Sequence, residues 1–550
     1  MSKLSISNYL LQRLVELGIE DIFGVPGDYN LSFLDQIVQY KNLRWVGNCN
    51  ELNAAYAADG YARVRGAAAL VTTFGVGELS AINGIAGSYA EFVPVVNIVG
   101  APSTTIQQSG ALMHHTLGTS RFDVFMTMFE KVSAAVVILD SAENAGERID
   151  SALETCWIKK QPVYISIPSD MVLVEIDAPK KPLCLNYPPS DPDVVNELIA
   201  RINLIIRKAK SPVILADLCA VRHSMKALIH ELLDKTGIPF ATMNMGKGII
   251  DESHANFLGM YNGLYSSPGV KERVEHADCI LSFGSLLSDF NTGGFTTDMK
   301  VNSTIEIHSN YVKIRHSSYP SVYFNAVIPA LIHALHGYQH KEKIARIPQV
   351  VASPSKSHIT QAWFWAKMGS FFKSHDIIIA ETGTSMFGLL ETAVPDHSTV
   401  IAQTLWASIG YSVGAILGAA LADQTRRTIL FVGDGSFQLT AQEISTVMRH
   451  HLSPIVFLLN NDGYTIERVI HGPNMSYNDI QPWQYAKLPT IFGDNVFSCV
   501  VETAQDLDHA INKIDEHRDK LCFIEVKMKR DDCPDNLREL GRACELKNER

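Results

Sequence analysis

Short apolar runs alternate with longer amphipathic stretches along most of this chain of 550 residues. That alternation restricts it to parallel sheets covered by helices on both faces. Apolar residues at 6, 9, 10, 14 and 17 predict a helix that Gly18 ends. A strand over 21–25 stops at Pro26-Gly27-Asp28, and a helix follows from Leu31. Strands at 44–46, 69–73 and 95–99 then alternate with helices at 51–62 and 79–90, and apolar runs at 135–139 and 163–167 flank another helix. Two proline-rich polar breaks, at 177–192 and roughly 337–357, divide the chain. Between them lie strands at 212–216, 279–283 and 303–307. Beyond them lie strands at 377–380, 429–432 and 455–459, with helices from 408 and 441. The expected fold is α/β, with three doubly wound parallel-sheet domains over 1–180, 190–340 and 356–550.

Composition narrows the function. Lys+Arg is 47 against Asp+Glu 58, a net charge of −11, which argues against nucleic acid and polybasic membrane contacts. No run reaches the ~18 apolar residues of a membrane span. The most apolar segment, 409–422, is punctuated by Tyr411, Ser412 and glycines and reads as a close-packed core helix. No signal peptide or lipidation motif is expected at the termini. Nine widely spaced cysteines without a CxxC fit reduced thiols in a cytoplasmic protein. A large cytoplasmic α/β enzyme remains.

The strongest local signal lies in the last third. An apolar strand over 428–432 runs into Gly433-Asp434-Gly435-Ser436, and a second over 455–459 ends in Asn460-Asn461-Asp462-Gly463. Asp434 and Asn461 are 27 positions apart, about one β-α-β crossover. Both fall at the carboxyl ends of strands, where open α/β sheets bind ligands. The Asp434 carboxylate, the Asn461 amide oxygen and a Gly463 carbonyl are hard ligands suited to Mg²⁺ shared with a diphosphate. Gly75-Val76-Gly77-Glu78-Leu79-Ser80 departs from GxGxxG at its last position and reads as a tight strand-to-helix turn. Gly246-Lys247-Gly248 lacks the rest of a P-loop.

GDG followed one crossover later by NN resembles the thiamin diphosphate-binding signature. Gly24-Val25-Pro26-Gly27-Asp28, Asn50-Glu51-Leu52-Asn53-Ala54, His114-His115-Thr116 and Gly463-Tyr464-Thr465-Ile466-Glu467 follow, in order, the pattern of the thiamin diphosphate-dependent 2-oxo acid decarboxylases. The resemblance spans nearly the whole chain and implies that family's pyrimidine-binding, central and diphosphate-binding domains, with thiamin diphosphate and Mg²⁺ as cofactors. It implies non-oxidative decarboxylation through a thiamin ylide and an enamine. Glu51 would contact the pyrimidine N1′ and favour the imino form that deprotonates thiazolium C2. Asp28, His114 and His115 would transfer protons and orient the substrate, and Glu467 would sit beside its carboxylate. Thr382, Thr384, Ala407, Ile409, Gly433, Gly435, Ser436 and Ile466 would line the cofactor. Ile409 would prop its bent shape, and Ala407 stands where the relatives carry Gly.

Pocket size sets the substrate. Phe290, within 286–293, and Thr382 resemble the pyruvate-cleaving branch, so pyruvate to acetaldehyde and CO₂ is expected, with Met386, Ile466 and Cys544 completing the pocket. The alternative is phenylpyruvate, indolepyruvate or a branched-chain 2-oxo acid, since Met386 is flexible and Cys544 replaces a large aromatic of some relatives. A carboligase fits His114, His115 and Glu467 less well. A non-catalytic, filament-forming protein is disfavoured by intact Glu51, Asp434 and Asn461. The resemblance implies a dimer or homotetramer, with Glu51 and Asp434 of each cofactor site on different subunits. Cys219 resembles a cysteine linked to substrate activation, but position 92, where the proposed relay has His, is Phe92. Weak or altered activation is expected.

Overall fold

A computed structural model describes residues 3–342, 344 and 358–548, with residues 543–548 described by backbone alone. The boundary expected at 356 lies outside the described residues. The strands between 21 and 168 form one six-stranded sheet and those between 377 and 527 another. In both sheets every pairing is parallel, and the spatial order is second, first, third, fourth, sixth, fifth in chain order. The strand order therefore reverses between the first and third strands of each: Asp21–Gly24 beside Ala68–Thr73, and Ile377–Ala380 beside Thr428–Gly433. A crevice opens at the carboxyl ends of such a pair because their crossovers leave in opposite directions.

The central sheet adds to the expected pattern. Five parallel strands, from Phe257–Met260 at the edge to Thr304–Ile307, continue into an antiparallel meander, Tyr311–Ile314 and Ser317–Pro320. A further antiparallel pair, Lys3–Ser5 with Glu175–Asp177, ties the start of the chain to the end of the first domain.

The first and last domains share one core, centred on two helices, Glu51–Arg65 and Tyr411–Ala422. Every residue of Tyr411–Ala422 is buried. The backbones touch: a Cβ on Gly418 would stand 1.8 Å from Ala57 O, and one on Gly60 2.3 Å from Ala415 O. The glycines in this apolar run thus serve close helix packing, which a side chain would prevent.

Beside this seam, charges are buried in compensating pairs. Arg63 reaches Asp59 at 2.5 Å and Glu91 at 2.8 Å, Tyr411 donates to Asp59 at 2.5 Å, and Arg222 of the central domain donates to Glu91 O at 3.0 Å. Removing one partner would strand the rest, at a cost of about 3–5 kcal/mol for a buried pair. No helix among the described residues is long and apolar enough to cross a membrane.

Candidate active site

In the first domain the loop after Asp21–Gly24 carries Asp28. Asn30, fully buried, fixes that loop: its amide oxygen accepts from Gly27 N at 2.9 Å and its nitrogen donates to Val25 O at 3.1 Å. Asp28 Oδ2 then lies 2.6 Å from His114 Nε2. The other His114 nitrogen, Nδ1, is 3.4 Å from the Tyr29 hydroxyl, and the two rings stack at 5.0 Å. The His115 ring stands edge-on to His114 at 4.6 Å, so Asp28, His114 and His115 form one cluster.

The strand-to-helix turn at 75–77 makes room for this group. Gly75 has φ +69, and a Cβ there would stand 2.1 Å from His115 O. A Cβ on Gly77 would lie 3.3 Å from Glu51 Oε1. The imperfect GxGxxG therefore seats His115 on one side and Glu51 on the other, with no dinucleotide needed to account for its glycines. Glu51 opens the helix Glu51–Arg65 behind an Asn50 cap, whose side chain accepts from Asn53 N at 2.8 Å. Its carboxyl is half-buried, and burial raises its pKa above the ordinary glutamate value. Glu443, reaching across from the last domain, accepts from Asn48 Nδ2 and Asn53 Nδ2 at 2.8 Å and from Cys49 N at 3.3 Å, gripping the turn that presents Glu51.

In the last domain, Asp434 begins the helix Asp434–Thr440 immediately after its strand. Its carboxylate is buried and accepts from Gly435 N and Gly463 N, each at 3.0 Å. Burial nevertheless pushes its pKa up to about 6. One end of the Asn461 amide lies 3.0 Å from Gly463 O and 3.1 Å from Asp434 Oδ1; the other lies 3.0 Å from Thr465 Oγ1. Thr465 has one hydroxyl proton: given to Asn461, it lets the amide nitrogen donate to Gly463 O and Asp434 Oδ1; given to Arg530 O at 2.9 Å, it leaves the Thr465 oxygen to accept and turns the amide nitrogen to it. The amide oxygen then faces Gly463 O and Asp434 Oδ1. Three converging oxygens with no proton between them repel one another, and a hard divalent cation relieves that repulsion.

The neighbouring loops border this oxygen set. Thr382 follows the first strand and donates to Gln403 O at 3.3 Å; Thr384, buried, starts the helix Thr384–Glu391. A Cβ on Gly433 would meet nothing within 4 Å, so the backbone there borders open space. Ser436 is buried, Ile409 is exposed, and Ile466 lies 4.0 Å from where a Gly383 Cβ would stand. Glu467 is exposed on the short helix Thr465–Ile470. Ala407 has φ +54, a left-handed conformation that costs an L-residue roughly 1–2 kcal/mol. That conformation explains Gly as the alternative at this position. Here it is held by Glu91, which accepts from Leu405 N at 2.7 Å and Trp406 N at 3.3 Å, and by Gln403 Oε1 on Ser408 N at 2.8 Å.

The central domain contributes Phe290, whose ring lies 6.2 Å from Phe387 and packs on the same cluster as buried Met386 and part-buried Ile466. Cys544 belongs to the helix Asp535–Asn548, but its side chain lies outside the described residues. Cys219 is fully buried, 3.3 Å from His308 Nε2, and burial pushes its thiol up to about 12. At neutral pH it is a thiol and not the nucleophilic thiolate.

Two groups of residues result. Asp28, Glu51, His114 and His115 gather in the first domain, and Asp434, Asn461, Gly463 and their neighbours in the last. Among the described residues, no hydrogen bond, ion pair or ring contact joins one group to the other. Asn30, Tyr29 and Glu443 escaped sequence reasoning, because each acts through a contact that no local pattern encodes.

Comparison with known proteins matches three families in order. They are the thiamine pyrophosphate enzyme N-terminal TPP binding domain over residues 4–122, the central domain over 199–335 and the C-terminal TPP binding domain over 383–526. A pyruvate decarboxylase of Aspergillus terreus is 46% identical, covering 99% of this chain and 97% of that protein. A putative pyruvate decarboxylase of Schizosaccharomyces pombe is 48% identical over 96% of each. Pyruvate decarboxylase isozyme 1 of Saccharomyces cerevisiae is 44% identical over 100% of each.

Proposed function

Because the chain belongs to the pyruvate decarboxylase family of thiamine pyrophosphate enzymes, we propose that it converts pyruvate to acetaldehyde and CO₂ in a site shared by two copies. The observation that carries this reading is the oxygen set of Asp434, Asn461 and Gly463 at one switch point, matched by the Asp28–His114–His115 cluster at the other. Such an oxygen set fits Mg²⁺ holding a diphosphate, with Gly433, Gly435, Ser436, Thr382 and Thr384 on the surrounding loops. When bound, thiamin diphosphate supplies the carbon nucleophile and electron sink that a 2-oxo acid lacks.

The chain's own residues manage protons and position. Net decarboxylation replaces the carboxylate by a proton on the same carbon, so a proton donor must reach that carbon. His114, held between Asp28 and Tyr29, supplies one. His115 and Glu467 flank the reacting groups, and Glu51, whose pKa burial raises, would face a ring nitrogen of the cofactor. Two half-sites on one chain call for a second copy: a dimer is the smallest complete unit, and a tetramer pairs two dimers. The odd cysteine count without a CxxC supports a cytoplasmic setting.

Asp434 gives this reading a pH signature. Its pKa of about 6 means that protons compete with Mg²⁺ below that pH. Mg²⁺ affinity should therefore fall about tenfold per pH unit below 6 and level off above it, as measured by Mg²⁺ titration of cofactor-dependent activity at fixed ionic strength. A flat affinity from pH 5 to 7 would remove Asp434 from the metal set.

Substrate choice rests on Phe290. Each methylene accommodated or excluded is worth about 1–3 kcal/mol. Phe290→Ala should raise kcat/KM for 2-oxoisovalerate or phenylpyruvate, relative to pyruvate, by about tenfold or more. An unchanged ratio would place the size filter elsewhere.

A further inference from the structure

A second cavity, of about 460 Å³, lies at the opposite end of the last sheet from the oxygen set. It opens at the amino ends of the strands Ile377–Ala380, Thr428–Gly433, Ile455–Asn460 and Leu521–Lys527. Thr428 at its wall and Asp434 at the candidate active site are separated by the length of one strand, about 20 Å. In a chain of net charge −11, this cavity is lined by five cations, Lys373, Arg426, Arg427, Arg518 and Lys520, against two carboxylates, Asp376 and Asp515.

Both carboxylates are already engaged. Asp376 takes Arg427 through two hydrogen bonds at 2.9 and 2.6 Å, and Asp515 takes Arg518 at 2.6 Å and Lys373 at 3.4 Å. Among the described residues Arg426 bonds only to neutral acceptors, the carbonyls of His375, Asp376 and His397 and the Thr399 hydroxyl. Neither Arg426 nor Lys520 has an ion-pair partner among the described residues. Two buried donors in the wall also lack acceptors among the described residues: Arg427 Nη1, and Thr428 Oγ1 on a residue only 3% exposed. An oxyanion in the cavity would give Arg426 and Lys520 the anionic partner they lack and would lie against the wall that holds these two donors. Leu452, Pro454, Ile455 and Ile514 give the same cavity an apolar side.

We propose that this cavity binds a small organic phosphate, its phosphate on Arg426, Arg427, Lys520 and Thr428 and its organic part on the apolar side. The volume suits a ligand of nucleoside monophosphate size. The test is calorimetric titration of the holoenzyme, saturated with thiamin diphosphate and Mg²⁺, with AMP as probe and inorganic phosphate as competitor. One AMP should bind per chain, and inorganic phosphate should compete with it while binding more weakly than AMP does. The double reversal Arg518→Glu with Lys520→Glu, on the cavity's outer rim, should weaken AMP about tenfold or more and leave kcat/KM for pyruvate unchanged. Thr428→Val should weaken AMP without altering the cofactor requirement. No AMP or phosphate binding by the holoenzyme, or binding indifferent to both sets of changes, would overturn the proposal.

Discussion

Asp434→Ala should leave a folded protein that no longer retains Mg²⁺ or thiamin diphosphate and has no measurable turnover. The substitution removes the only carboxylate of the converging oxygen set and leaves two neutral ligands, Asn461 and Gly463. Loss of outer-shell partners alone costs about 10–100-fold in metal affinity, so loss of a direct charged ligand should cost at least the upper end of that range. Stability of the cofactor-free protein should hold or rise, because a buried carboxyl whose pKa is pushed up to about 6 is one that folding penalises in its charged form. Cofactor occupancy by absorbance after desalting, beside a thermal melt of the cofactor-free protein, separates the two effects. Full occupancy would refute the metal assignment.

Glu51→Gln should do the reverse: the cofactor stays and catalysis stops. Glutamine keeps the length and the first-turn position in the helix Glu51–Arg65 but cannot hold and return a proton as a carboxyl does. Loss of a positioned acid–base group typically costs 10²–10⁴-fold, and a fall in kcat of about that size is expected with cofactor affinity within a few-fold of wild type. The two variants also test the shared site together. In a mixed dimer the Asp434→Ala chain brings an intact Glu51 and the Glu51→Gln chain an intact Asp434, so one complete site forms. Random reassortment of the two inactive proteins should restore roughly a quarter of wild-type activity. A mixture as inactive as its parts would place Glu51 and Asp434 of one chain in the same site.

The oxygen set was legible in the sequence because each ligand ends a strand, and strand ends followed by Gly-Asp-Gly or Asn-Asn-Asp-Gly are local patterns. Glu51 was legible for a similar reason, standing first in an Ala-rich helix. The architecture of the outer domains could be read from period and punctuation, although that they share one strand order could not. The antiparallel meander Tyr311–Ile314 and Ser317–Pro320 went unread because its strands are short and the second is largely exposed and polar. What Gly75 and Gly77 are for was also hidden. Their neighbours His115 and Glu51 lie some forty and twenty-five positions away, and only the folded chain brings them to one turn. Glu443 is further still from the helix it grips. A buried acid in an amphipathic stretch looks like any other until the opposite domain arrives. Ala407 gave a signal, a position where relatives carry Gly, but the left-handed backbone behind it is set by the folded loop and its contacts with Glu91 and Gln403.

The most direct test is steady-state kcat/KM with thiamin diphosphate and Mg²⁺ for pyruvate, 2-oxobutanoate, 2-oxoisovalerate, phenylpyruvate and indolepyruvate. Aldehyde formation coupled to NADH oxidation gives the readout, with chelator-treated, cofactor-free protein as the control. Pyruvate should lead the series, and activity should vanish in the control and return when both cofactors are restored. An aromatic or branched acid in the lead would overturn the substrate assignment. Retained cofactor with no aldehyde from any of the five acids would contradict the decarboxylase assignment itself.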